Sequence, residues 1–95
     1  MLTFIIYDIS DDKARTKVFK ALKRAGLYHI QYSSFLGELE QNRLDELQLQ
    51  FEGLIEEADA VYMFPIGEAE FGKSRILGTD FDHDLVLDKL RTIIL

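Results

Sequence analysis

Residues 2–26, LTFIIYDISDDKARTKVFKALKRAG, decide the fold. Leu2 to Ile9 is apolar on both strand parities and rich in β-branched and aromatic residues, which predicts a central strand. Asp8 falls at its carboxyl end and shares a face with Leu2, Phe4 and Ile6. Ser10, Asp11 and Asp12 then supply a capping oxygen and acids for a first helical turn. Ala14, Val18, Ala21, Leu22 and Ala25 recur at helical spacing, so a helix is expected over 12–25. Gly26 is its natural stop.

Downstream the pattern repeats. Leu27 to Leu39, LYHIQYSSFLGEL, is β-rich and too long for one average strand. It reads either as one strand bent near Gln31–Ser34 or as two strands meeting there. Leu44, Leu47, Phe51, Leu54, Ile55 and Ala58 predict a second amphipathic helix over about 41–58, with Asn42 as its cap and Gly53 inside it. Ala60 to Ile66 predicts another strand, with Pro65 at its end or on an edge. Ser74 to Leu77 is expected to be a short final strand, and residues 79–95 a short helix with an apolar tail.

The order β-α-β(β)-α-β predicts an α+β, ferredoxin-like βαββαβ sandwich with both helices on one sheet face. Strand 1 is apolar on both parities, so the other face needs a cover. A second copy of the chain supplies it most simply, giving a homodimer. Residues 1–78 are expected to form the domain, and 79–95 a tail that docks on the dimer or on a partner.

Ninety-five residues make one small domain. The lack of cysteine excludes thiolate zinc sites, iron–sulfur clusters, disulfides and a cysteine nucleophile. The opening residues carry no positive region ahead of the apolar stretch, and no apolar run is long enough for a membrane span, so a cytoplasmic protein with no membrane partner is expected.

The net charge of −6 hides a segregation. Lys13, Arg15, Lys17, Lys20, Lys23 and Arg24 place six of eleven cations in one short segment. No Lys or Arg lies between Leu44 and Gly72, where eight acids fall. Screening over ~8–10 Å lets the two regions act nearly independently.

Three groups of residues bear on chemistry. Asp8 is either a metal ligand or acid–base group, or a carboxylate accepting backbone N–H bonds from the turn that follows it. Lys13, Lys17, Lys20 and Arg24 form a helical stripe, which serves either phosphate contact or ordinary solvation. His29, Gln31, Tyr32, Ser33 and Phe35 mix polar and aromatic groups that suit nucleotide stacking, although alternate aromatics in a strand also build cores.

Two motif matches fail. Gly67 to Ser74 has the letters of a P-loop, but acids would face the triphosphate and the following residues read as strand. Asp80, Asp82 and Asp84 imitate a calcium loop, but Leu85 and Arg91 stand where glycine and glutamate are required. Helix-start acids or a weak surface ion site remain there.

The run Tyr7-Asp8-Ile9-Ser10-Asp11-Asp12, then Arg15-Thr16-Lys17-Val18, Gly26-Leu27, Gln31-Tyr32-Ser33-Ser34-Phe35 and Gly37-Glu38-Leu39 closely resembles the CRISPR-associated Cas two (Cas2) family, the smaller core protein of spacer acquisition in antiviral defence. The resemblance implies a homodimer in which the last strand of one subunit extends the sheet of the other. It implies a Mg²⁺-dependent endonuclease acting on single-stranded RNA, double-stranded DNA or both. One ion would be shared between Asp8 of the two subunits, making Asp8 both metal ligand and catalytic residue. It implies a bridge between dimers of the larger Cas one integrase. Tyr7, Arg15, Lys17, His29 and Phe35 match positions linked to activity, and with Lys13, Lys20 and Arg24 they are the expected nucleic-acid contacts. Lys17 and His29 stand where arginine is common, and lysine keeps the charge without the bidentate phosphate geometry. Two other readings accompany this one: a non-catalytic DNA-binding scaffold within the integrase complex, and a toxin-type ribonuclease of similar fold.

Overall fold

A computed structural model of the chain describes residues 1–75 and residue 77. Among them the element order is β1 (Leu2–Asp8), α1 (Asp12–Arg24), β2 (Tyr28–Gln31), β3 (Ser34–Glu38), α2 (Gln41–Glu52), β4 (Ala60–Pro65) and α3 (Glu68–Gly72). The four strands form one antiparallel sheet in the order β2-β3-β1-β4. This is the βαββαβ order of a ferredoxin-like sandwich.

β1 sits between β3 and β4, in the centre of the sheet, where its two apolar faces suit it. Thr3, Ile5 and Tyr7 face the helices and are buried. They pack with Phe35 and Leu39, with Ala14, Val18, Ala21 and Leu22 of α1, and with Leu47 and Phe51 of α2. Asp11 caps α1, its carboxylate accepting from the Ala14 N–H at 2.8 Å. Gly26 ends the turn after α1 with φ of 86°, a conformation that costs glycine little.

The segment 27–39 resolves into two strands. Tyr32 and Ser33 turn the chain between β2 and β3, and a register irregularity lies between His29 and Gln31. Gly37 on β3 permits the close approach of Leu27: a Cβ there would lie 2.7 Å from Leu27 Cδ2 and 3.2 Å from Leu27 Cα.

Three sequence expectations are corrected. The second helix ends at Glu52 rather than near residue 58, with Gly53 as its C-cap instead of an interior residue. Leu54 and Ile55 still pack on the core, which is why apolar spacing outlasts the helix. Glu40, not Asn42, is the N-cap; it makes no side-chain capping bond, and Asn42 Oδ1 accepts instead from the Arg43 N–H. Ser74, Arg75 and Leu77 are not in a strand. The Lys73 and Ser74 N–H groups donate to Glu70 and Phe71 carbonyls and so close α3. A helix that ends before Lys73 also removes the P-loop geometry, which needs one beginning there. Ile76, the final-helix expectation, the 79–95 tail and the aspartates at 80, 82 and 84 lie outside the described residues.

The second face of the sheet is covered unevenly. Ile66 and Phe71 pack at its Leu2 end, burying Leu2 and Leu36 against Phe4, Tyr28 and Ile30. Toward the Asp8 end Tyr62 and Phe64 are half-exposed and stacked on each other, with ring centroids 6.1 Å apart. Phe4 pairs in register with Phe64, Ile6 with Tyr62, and Asp8 with Ala60. An apolar strip therefore runs along this face to the aspartate.

Candidate nucleic-acid interface

Asp8 is exposed at the end of the central strand. Its carboxylate has no hydrogen bond or ion pair with any described residue. The turn that follows is held by other acids. Asp11 caps α1, and Asp59 clamps the β1–α1 loop to the loop before β4. One Asp59 oxygen accepts from the Ser10 N–H and hydroxyl, both at 3.1 Å, and the other accepts from the Glu56 N–H at 2.9 Å. These bonds hold the Asp59 carboxyl below its ordinary pKa of 3.8, the Glu56 and Ser10 N–H groups contributing most. The backbone-acceptor role, the alternative reading of Asp8, thus falls to Asp11 and Asp59.

Arg15 reinforces the same loop. Its guanidinium donates to the Ile9 carbonyl at 3.1 Å and the Ser10 carbonyl at 3.5 Å, and pairs with Asp12. Tyr7 is buried at 4 % exposure, and burial raises its pKa above 10.0. A hydrogen bond with the Ser33 side chain and the Arg15 charge pull it partly back. The phenol is therefore a neutral hydrogen-bonding group at neutral pH.

Tyr7, Arg15, Thr16, Phe19, Tyr32 and Ser33 line a cleft of about 320 Å³. Behind it stands an aromatic cluster. Phe35 contacts Tyr7, Phe19 and His29 with ring centroids 6.3, 5.4 and 4.9 Å apart. Phe35 is wholly buried and supports the cleft from behind. His29 Nε2 donates to the Tyr32 carbonyl and closes the β2–β3 turn.

The basic stripe occupies a separate surface. Lys13, Lys17, Lys20 and Arg24 are exposed on α1, and none pairs with an acid among the described residues. Lys17, Lys20 and Arg24 face Gln50, Gly53 and Leu54 across a groove of about 260 Å³. The expected site residues thus fall into three regions: Asp8 at the strand end, Tyr7 and Arg15 at the cleft with His29 and Phe35 behind, and the four cations on the outer helix. Asp59 and Thr16 were not among the candidate residues, whereas Tyr32, a candidate for nucleotide stacking, lies in the turn between β2 and β3. Strand alternation does not reach Tyr32, because it belongs to a turn.

Magnesium takes one or two carboxylates and keeps several waters. Among the described residues no group of three potential ligands gathers. The carboxylate of Asp8, without a partner among the described residues, offers one such ligand, and a second carboxylate would have to come from another chain. No described helix is long and apolar enough to cross a membrane.

Sheet order and helix placement define a ferredoxin-like α+β protein with an exposed aspartate at the end of its central strand and a basic outer face on its first helix. The family described as CRISPR associated protein Cas2 matches residues 1–74, and the chain belongs to that family. It is 37% identical over 92 residues to a CRISPR-associated endoribonuclease Cas2 of Methanospirillum hungatei, covering 95% of this chain and 94% of that one. Another so named, from Archaeoglobus fulgidus, is 37% identical over 67 residues, 70% and 71% of the two chains. Among solved structures, a hypothetical protein of Thermus thermophilus superposes with a TM-score of 0.70 at 30% identity, covering 82% of this chain and 90% of that one. A structure described as cas2 gives 0.70 at 26% identity, over 87% and 90%.

Proposed function

We propose that this protein is a metal-dependent endonuclease of CRISPR spacer acquisition that works as a homodimer. The observation that carries this reading is Asp8: an exposed carboxylate without a described partner, ending the central strand beside an apolar strip that the described residues leave half-exposed. A copy seated on that strip brings a second Asp8 to the same end of the sheet. Two carboxylates placed together repel unless a cation or proton lies between them. Asp8 of both subunits would hold Mg²⁺, which when bound supplies water activation and charge neutralisation at a phosphodiester. Arg15 and Lys17 hold the phosphate backbone, and Tyr7 and His29 fix the surface against which the strand lies. Relatives named as endoribonucleases support RNA as substrate; duplex DNA is the other candidate.

Asp8→Asn tests this. Cleavage of single-stranded RNA in Mg²⁺ should fall at least about 100-fold. Folding should hold, because exposed substitutions of this kind stay within about 0.5 kcal/mol. Binding of nucleic acid should persist. Undiminished metal-dependent cleavage by the purified variant would defeat the nuclease reading.

A second reading is favoured by the four α1 cations without described acidic partners. They suit a scaffold that tracks a duplex backbone and bridges the Cas1 integrase, in which Asp8 is dispensable. Wild-type duplex binding with no cleavage of either nucleic acid would select it.

A further inference from the structure

We propose that the cleft beside the β2–β3 turn receives one unpaired nucleotide of a single strand, with the Tyr32 ring stacked on its base. This rests on the reading of the protein as nucleic-acid-binding and names the form of nucleic acid it prefers.

Tyr32 is the starting point. It is 83% exposed and has φ of 41°, the only positive value at a non-glycine position among the described residues. That conformation is uncommon for a bulky side chain and persists where surrounding structure enforces it. Here the enforcement is visible. His29 Nε2 donates to the Tyr32 carbonyl, and the His29 ring is itself fixed against Phe19 at 5.1 Å and Phe35 at 4.9 Å. An aromatic cluster anchored on the buried Phe35 thus holds an aromatic ring out in water. A ring presented this way on a preorganised turn binds a flat partner with little further ordering.

The walls suit a nucleotide. Thr16 and Ser33 bring hydroxyls; Thr16 donates to the Asp12 carbonyl and Ser33 bonds to the Tyr7 phenol, which leaves lone pairs on their oxygens to accept from a base edge. Phe19 adds an apolar surface and Arg15 a guanidinium. Lys23, exposed one helical turn beyond Phe19, offers a positive charge for an adjoining phosphate. The volume of about 320 Å³ lies at the low end of the ~300–1,000 Å³ of small-ligand sites, room for one nucleotide and not for a helix. Bases inside a duplex are already stacked, so Tyr32 distinguishes single strands from double.

The test is binding of a short fluorescein-labelled single-stranded oligoribonucleotide, and of its duplex, followed by anisotropy in EDTA. Tyr32→Asn removes the ring while tolerating the left-handed backbone. It should weaken single-strand binding about 5- to 150-fold, the range for losing one aromatic stack. Tyr32→Phe should restore it, and duplex affinity should stay near the wild-type value in both variants. Single-strand affinity unmoved by Tyr32→Asn, or an equal fall for the duplex, overturns the cleft proposal and leaves the Asp8 nuclease reading standing. A wild-type protein that binds neither form overturns both. Loss of cleavage in Asp8→Asn with Tyr32-dependent binding retained separates the two roles.

Discussion

Three aspartates near the end of β1 divide the work between them. Asp11 caps a helix, Asp59 joins two loops, and Asp8 is left without a described partner. The clamp at Asp59 has a pH signature. Its pKa in the folded protein is lowered below 3.8, so the stability it contributes is fully present above that value and is lost as pH falls through the depressed one. Urea unfolding of the wild type and Asp59→Ala should therefore show a gap at neutral pH that narrows below pH 3.8. A gap constant across that range would contradict the clamp. In the sequence Asp59 was one acid in a run of acids. Nothing local marked it, because its partner Ser10 lies 49 residues away. Asp8 was legible by contrast, since an aspartate closing an apolar strand violates the local pattern.

At the scale of elements, the strands and first helix could be read because their periodicities come from single faces. α1 was readable to within a residue, since its apolar spacing, its acidic start and Gly26 agree. α2 was not. Leu54 and Ile55 continue its apolar period after the chain has left the helix, and spacing alone does not see the cap at Gly53. The turn at Tyr32–Ser33 was obscured because it lacks Gly, Asn and Pro, the residues that usually mark such geometry. Gly37 illustrates the reverse case, a motif residue whose reason appears only in three dimensions. Its missing Cβ makes room for the Leu27 backbone, linking the α1–β2 connection to β3. Gly37→Ala should cost about 1–3 kcal/mol as overpacking, read as a lower urea midpoint with an unchanged slope. An unchanged midpoint would show that the connection yields freely.

The described residues present two surfaces of contrasting chemistry. The outer face of α1 carries cations without described acidic partners, while the strip of Phe4, Ile6, Tyr62 and Phe64 leads to Asp8 on the opposite side of the sheet. Half of this arrangement was readable from strand 1 being apolar on both parities. The other half, the way α3 and Phe71 cover one end of that face while no other described residue covers the acidic end, depends on packing that no local pattern announces. The proposed second copy would sit at that end, which makes a divided site the central claim. Equal amounts of wild-type and Asp8→Asn chains, unfolded together and refolded, redistribute at random between dimers. A site that needs Asp8 from both subunits leaves about one quarter of the wild-type specific cleavage in Mg²⁺, because only that fraction of dimers is intact. Activity at about one half would show that each chain cleaves alone, and would contradict the account.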